Sequence, residues 1–170
     1  LNAVLWTLSA YFIGLNANAF IYDALFSALI VMTFIDIDTK EIPNGIVVFI
    51  IILSIPLFFT AKDVVWWHRL VGAVVISVPL YVIALVTGGI GGGDIKLYFA
   101  LGLVLGLYPT LVSAFIAIVS AGLIGGVLLL TKKVRKGYEL PLGPFIALGA
   151  VVTVFAGTPI IDGIKNLFGI

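Results

Sequence analysis

Apolar residues run along this chain in stretches too long and too continuous for the alternation of a half-buried strand or the narrow stripe of a surface helix. The runs cover residues 3–15, 20–37, 44–60, 69–87, 95–107, 110–131 and 142–157, and each is predicted as a helix. Turn signals separate them at Gly14 to Asn18, Lys40 to Asn44, Ala61 to His68, Gly88 to Gly93, and Tyr108-Pro109. A bilayer core about 30 Å thick takes about 20 apolar residues per helix. The pattern therefore predicts an all-α, polytopic membrane helix bundle of about six or seven transmembrane helices, with residues 1–170 as a single domain. The first and last runs are short for a crossing.

Composition agrees: 62% of the residues are hydrophobic and only 10% charged, against about 25% charged in a soluble domain. The net charge of +1 offers no basic surface, so nucleic acid is not expected as a partner. Cysteine is absent, which excludes disulfides, thiol catalysis and cysteine-ligated zinc. With His68 as the single histidine, no metal and no cofactor are expected. No basic segment precedes an apolar one at Leu1, so no signal peptide is read there. A start at Leu1 rather than Met also fits a piece of a longer protein.

Lysine and arginine in short loops mark the cytoplasmic side of a membrane protein. Counting loops after the first helix, the second, fourth and sixth carry Lys40, Lys96, Lys132, Lys133, Arg135 and Lys136. The remaining loops and the tail carry Lys62, Arg69 and Lys165. The even loops are thus expected in the cytoplasm, in a cell (inner) membrane. Asp36 and Asp94 then share that face.

Two stretches carry candidate chemistry. The first is Phe34-Ile35-Asp36-Ile37-Asp38-Thr39-Lys40-Glu41-Ile42-Pro43-Asn44. An Asp at mid-bilayer costs roughly 2.5–3.5 kcal/mol, less toward the interface. If the helix continues, Asp36 and Asp38 point about 200° apart and cannot face one partner. The segment alone reads equally well as a helix end with an Asp36–Lys40 pair. The second stretch is Gly88-Gly89-Ile90-Gly91-Gly92-Gly93-Asp94-Ile95-Lys96. Each glycine costs about 1 kcal/mol in a helix relative to Ala, so a break is expected, with Asp94 capping the helix that follows. A phosphate loop is not indicated, because no strand or Gly-Lys-Ser/Thr accompanies the glycines.

A hydrolase without cysteine, a metal cluster or a second histidine has few chemistries open to it. Two carboxylates sharing a proton is one: the charged member takes a proton from water while the protonated member polarises the scissile carbonyl. Glycines beside Asp94 would let the backbone come close and leave room for an extended chain.

Asp36 followed by Ile42-Pro43-Asn44, then Gly91-Gly92-Gly93-Asp94-Ile95-Lys96-Leu97, resembles the type IV prepilin peptidases. Leu140-Pro141-Leu142-Gly143-Pro144-Phe145 matches a third pattern of that family, so the resemblance runs from about residue 20 to about residue 157. It implies a membrane aspartic endopeptidase that removes the leader of prepilin or pseudopilin substrates at the cytoplasmic face. The catalytic pair maps onto Asp36 and Asp94. Asp38, Gly91, Gly93, Lys96 and Pro43 are implied as supporting residues. Lys96 would contact an acidic group of the substrate or a lipid headgroup, or merely snorkel. Many bacterial members also carry an amino-terminal segment with paired cysteines, associated with methylation. The sequence from Leu1 shows none of it, which fits either a peptidase-only member or a sequence that begins after that segment, and residues 1–170 are expected to cleave without methylating.

Other features read as structural. Gly102/Gly106 and Gly122/Gly126 have the spacing for close helix contacts within the monomer. Trp66-Trp67-His68-Arg69 reads as an interfacial belt at the outer face, and Asp23 as a solvated group near an outer helix end. Pro56, Pro79 and Pro109 are expected to kink or end helices. Two other functions compete. A small ion- or proton-coupled transporter would need acids nearer mid-bilayer and an internal repeat, and neither is found. A presenilin-like intramembrane protease shares Gly-x-Gly-Asp but pairs it with Pro-Ala-Leu, which is missing here. The sequence leaves the oligomeric state open.

Overall fold

In the computed structural model of the chain, residues 1–61, 64–132 and 140–168 are described. They form α1 (Asn2–Phe12), α2 (Ala17–Thr39), α3 (Asn44–Thr60), α4 (Trp66–Thr87), α5 (Gly92–Leu105), α6 (Leu107–Leu130) and α7 (Gly143–Phe168). The helix count is the expected one. Lys62, and the basic residues Lys133, Arg135 and Lys136, lie outside the described residues.

Local chemistry sets the ends. The Asn16 side chain accepts a hydrogen bond from the Ala19 amide (2.9 Å) and caps α2. Lys40 closes α2 in the left-handed conformation (φ 56°) and donates its backbone N–H to Asp36 O at 2.9 Å. Gly88 and Gly106, both at positive φ, terminate α4 and α5. The sequence predicts kinks or ends at its prolines, yet α3 and α4 continue through Pro56 and Pro79. Pro109 sits in the first turn of α6, where its missing N–H leaves no gap in the ladder. The glycine break is also shorter than expected. Helix α5 takes in Gly92 and Gly93, so Asp94 is its third residue and Gly91 holds the capping position.

Helices α2, α4, α6 and α7 are long and apolar enough to cross a membrane, and the chain is a multi-pass membrane protein. Helix α3 is also apolar, with 17 residues, or about 26 Å at 1.5 Å per residue. Helices α1 and α5, at 11 and 14 residues, are shorter than a crossing.

The short α5 lies in the middle. It packs on α3, α4, α6 and α7, and seven of its fourteen residues are buried. Its closest neighbour is α4, because glycine faces glycine there. A Cβ on Gly72 would come within 2.7 Å of Gly106 C and 2.9 Å of Gly102 O. Across α6 and α7 the same device recurs where Gly149 lies against the Ser113 backbone. In a bilayer such close backbone approach supplies the packing that a hydrophobic effect between helices cannot. Gly122 and Gly126 do not take part. Among the described residues, a Cβ on either would meet nothing within 4 Å, contrary to the contact that their spacing predicts.

Two charged groups also depart from expectation. Trp66 and Trp67 are exposed as a belt requires, but Arg69 is wholly buried. Its Nη1 donates to Leu103 O (3.1 Å) and to Val104 O, the unpaired carbonyls at the end of α5. That satisfies the negative end of the helix dipole. Asp23 is buried rather than solvated, and its Oδ1 has no hydrogen-bond partner among the described residues. The reason lies in its neighbours. Helices α1 and α7 close over that part of α2, where Phe12 and Phe26 both meet the Phe155 ring at 6.0 and 5.4 Å.

This packing makes a paired prediction for stability in detergent. A Cβ on Gly102 would overlap the Gly72 carbonyl, and backbone cannot step aside cheaply. Gly102→Ala is expected to cost about 1–3 kcal/mol or more, read as a clear fall in melting temperature. Gly122→Ala should leave the melting temperature unchanged or slightly higher. Equal effects at the two sites would contradict the packing described.

Candidate active site

Three helix ends and one turn meet at one end of the bundle. The last turn of α2 brings Asp36. The turn Lys40 to Pro43 and the start of α3 bring Glu41, Ile42 and Asn44, and the start of α5 brings Gly91 to Asp94 and Lys96. All except Pro43 line one polar cavity of about 400 Å³. Asp36 and Asp94, 58 positions apart in the sequence (94 minus 36), thus share one space. The charge of Asp36 acts on Asp94 across it.

Asp36 is held from the other side by α7. It is only 4% exposed, and its Oδ2 accepts a hydrogen bond from the Gly143 amide at 2.8 Å. Gly143 opens α7, so this N–H has no partner within its own helix. A charge at a helix N-terminus is also favoured by the dipole. The position admits no side chain. A Cβ there would lie 2.7 Å from Asp36 Oδ2 and 2.8 Å from Met32 Sδ.

Asp94 is half-buried and folds back over Gly91, whose backbone amide faces its carboxylate. The Asp94 amide in turn donates to Gly91 O at 3.1 Å. A Cβ on Gly91 would stand 3.1 Å from Asp94 Oδ2, so a side chain there would crowd the carboxylate. Gly93 serves a different contact. Its missing Cβ leaves room for Ile42, whose own Cβ would be 2.9 Å away. The turn that contains Ile42 and Pro43 is thereby seated on the first turn of α5. Pro43 caps α3, its carbonyl accepting from the Ile46 and Val47 amides at 3.1 and 3.4 Å.

The remaining expected residues separate clearly. Helix α2 runs on through Thr39, so Asp38 points away from Asp36, is exposed, and does not line the cavity. Lys96 does line it and donates from Nζ to Asn44 Oδ1 at 3.1 Å. Sequence reasoning missed the Gly143 amide, the Asn44–Lys96 bond, and Tyr98. Tyr98 is buried one turn beyond Asp94, with no hydrogen-bond partner for its hydroxyl among the described residues. Both Tyr98 and Asp94 line a second, small chamber of about 60 Å³. A glycine between Pro141 and Pro144 at a predicted helix start was the available signal for a backbone donor.

Fold and cavity together define a polytopic helical membrane protein with a paired-carboxylate site at one end of its bundle. A model of the type IV leader peptidase family matches residues 24–126, which include both carboxylates. The chain belongs to the type IV leader peptidase family. It is 32% identical over 163 residues to the prepilin leader peptidase/N-methyltransferase of Bacillus subtilis (strain 168), covering 95% of this chain and 65% of that protein. Likewise named proteins of Burkholderia pseudomallei (strain 1026b) and Stutzerimonas stutzeri are 32% and 30% identical over 148 and 139 residues. These matches cover 79% and 78% of this chain, and 46% and 48% of the relatives. The chain therefore spans between about half and two thirds of the length of these relatives. No solved structure matches it.

The seat of Ile42 on Gly93 gives a coupling that can be measured. Gly93→Ala is expected to destabilise by about 1–3 kcal/mol. Ile42→Ala in the same chain should recover a good part of the loss, a coupling of about 0.5–3 kcal/mol. Additive losses in a double-mutant cycle of thermal or denaturant unfolding would show that the two residues do not touch.

Proposed function

We propose that this chain is an aspartic endopeptidase that removes the leader of a type IV prepilin or pseudopilin, with Asp36 and Asp94 as the catalytic pair. The observation that carries the reading is that Asp36 and Asp94, from different helices, line one polar cavity. The relatives' names point to the same substrate class. One carboxylate, ionised, takes a proton from water. The other, protonated, donates to the scissile carbonyl and stabilises the oxyanion that forms when the water attacks. Two carboxylates in one cavity disfavour double ionisation, which is what keeps one proton on the pair. The Gly143 amide fixes Asp36 and the Gly91 turn fixes Asp94, so neither must be reoriented during the reaction.

Lys40, Lys96 and Lys132 sit at or beside the cavity end of the bundle, and this supports placing that end in the cytoplasm. A substrate with a short basic leader, a Gly and then an apolar helix could present its junction there without unwinding the helix. The residues 1–170 act as one peptidase domain in this reading. The presenilin-like and transporter readings have no comparable support. The cavity joins α2, α3 and α5 at the bundle end rather than at mid-depth.

Asp36→Asn and Asp94→Asn are each expected to lower prepilin cleavage by about 10³-fold or more, with protein level and melting temperature kept. Asp38→Asn should retain most activity, since Asp38 faces away from the cavity. Mass spectrometry of the released leader measures this. An active Asp36→Asn beside an inactive Asp38→Asn would reverse the assignment.

Orientation is testable because the chain has no cysteine of its own. Thr39→Cys is expected to react with an impermeant thiol reagent only after the cytoplasmic face is opened, and Val65→Cys in intact cells. Labelling of Thr39→Cys in sealed cells would refute a cytoplasmic site. The matching positions Lys62 and Gly137 lie outside the described residues.

A further inference from the structure

Helices α3 and α4 both pack on α5 but barely on each other. Between them lies an almost wholly apolar groove of about 500 Å³, floored by Ile95 and Phe99 of α5. Its α3 wall is Asn44, Val47, Val48 and Ile51, one face spaced i, i+3, i+4 and i+7. Its α4 wall includes Val78 and Tyr81. The wall positions Val48, Val78 and Tyr81 are each more than half exposed, so the groove opens sideways toward lipid. From Asn44 to Ile51 it is about 10 Å long, or two turns of helix at 1.5 Å per residue.

One end of this groove is the wall of the catalytic cavity. Asn44 and Lys96, joined by their hydrogen bond, line both spaces. Two other apolar hollows among the described residues do not fit in this way. The hollow between α1, α2 and α7, about 240 Å³, shares no lining residue with the cavity. The chamber behind Asp94 is far too small for a helix at about 60 Å³.

We propose that the α3–α4 groove seats the substrate's own membrane helix, in the two turns that follow the bond to be cut. This rests on the peptidase reading above and goes beyond it by fixing the route of entry. A substrate whose helix stays in the bilayer approaches from lipid, laterally. The groove delivers the chain from that direction to the Asn44–Lys96 seam, one step from the two carboxylates. Lipid tails are as apolar as the groove, so the seat works by shape and close packing rather than by burial of apolar surface. The binding mode is a helix laid in a groove. Filling the groove should therefore hurt more than trimming its apolar lining.

The test compares two substrates with the full chain in detergent or nanodiscs. One is an intact prepilin; the other is a synthetic peptide with the leader and junction but no apolar helix. Val48→Trp and Val78→Trp are each expected to lower the ratio of kcat/KM, prepilin over peptide, at least tenfold. Because a tryptophan variant can misfold, a second measurement uses Asp94→Asn as a trap. A single cysteine at Val78 should form a disulfide with a cysteine in the first two turns of the prepilin helix. A cysteine at Ile30, in the α1–α2–α7 hollow, should not. Unchanged ratios without a Val78 disulfide would mean that the groove holds only lipid, and would overturn the proposal. A disulfide at Ile30 and none at Val78 would overturn it too. In both cases normal wild-type cleavage leaves the peptidase reading standing, whereas a wild-type chain that cuts neither substrate removes both.

Discussion

A buried carboxylate inside a membrane protein persists only with partners, and here the partner of Asp36 is a backbone amide 107 residues away. The Gly143 N–H belongs to the first turn of α7, a group that no helix can satisfy internally. Each of these two groups alone would be costly where it lies. Together they resolve one another and lock the last turn of α2 to the start of α7. The contact requires glycine, since any side chain would strike the carboxylate and Met32. The Leu140-Pro141-Leu142-Gly143-Pro144 stretch is explained by this contact more directly than by any role in touching substrate.

The same logic orders the rest of the site. Glycine at position 93 lets the turn after α2 sit on α5, and glycine at position 91 lets Asp94 curl over its own helix start. Glycine at positions 72, 102 and 106 draws α4 onto α5. Arg69 then closes the far end of α5 by donating to its last carbonyls. A helix of 14 residues can sit in the centre of a membrane bundle because its last carbonyls are satisfied by Arg69 and its first turn opens on the polar cavity. Its position sets Asp94 opposite Asp36, and its outer face floors the lipid-facing groove. The cavity and the groove are thus two consequences of one short, glycine-seated helix.

Much of this was legible in the sequence, and apart from the prolines that α3 and α4 tolerate and the glycines that α5 takes in, the exceptions have a common cause. Helix number and the break before Asp94 rest on local signals, long apolar runs and glycine clusters, whereas the choice of Asp36 and Asp94 as partners came from the loop charges and the family motifs. The opposite facing of Asp36 and Asp38 follows from helical periodicity alone. What failed was the direction of burial. In water the apolar stripe of a helix marks its inner face, but in lipid the outer face is equally apolar. Asp23 and Arg69 therefore looked like surface groups, and Gly122 and Gly126 like packing groups, with nothing in their neighbours to say otherwise. The partner of the Gly143 amide was hidden for a related reason. A helix-start N–H signals that a partner is needed, and only the fold says which one.

In the proposed mechanism Asp36 and Asp94 act as one catalytic unit. The residual rates of prepilin cleavage by Asp36→Asn, Asp94→Asn and the double variant test it most directly. Residues that work as a unit lose their function once, so the double variant is expected to be no slower than the slower single variant. Losses that multiply in the double variant, or a single variant that keeps the full rate, would contradict it.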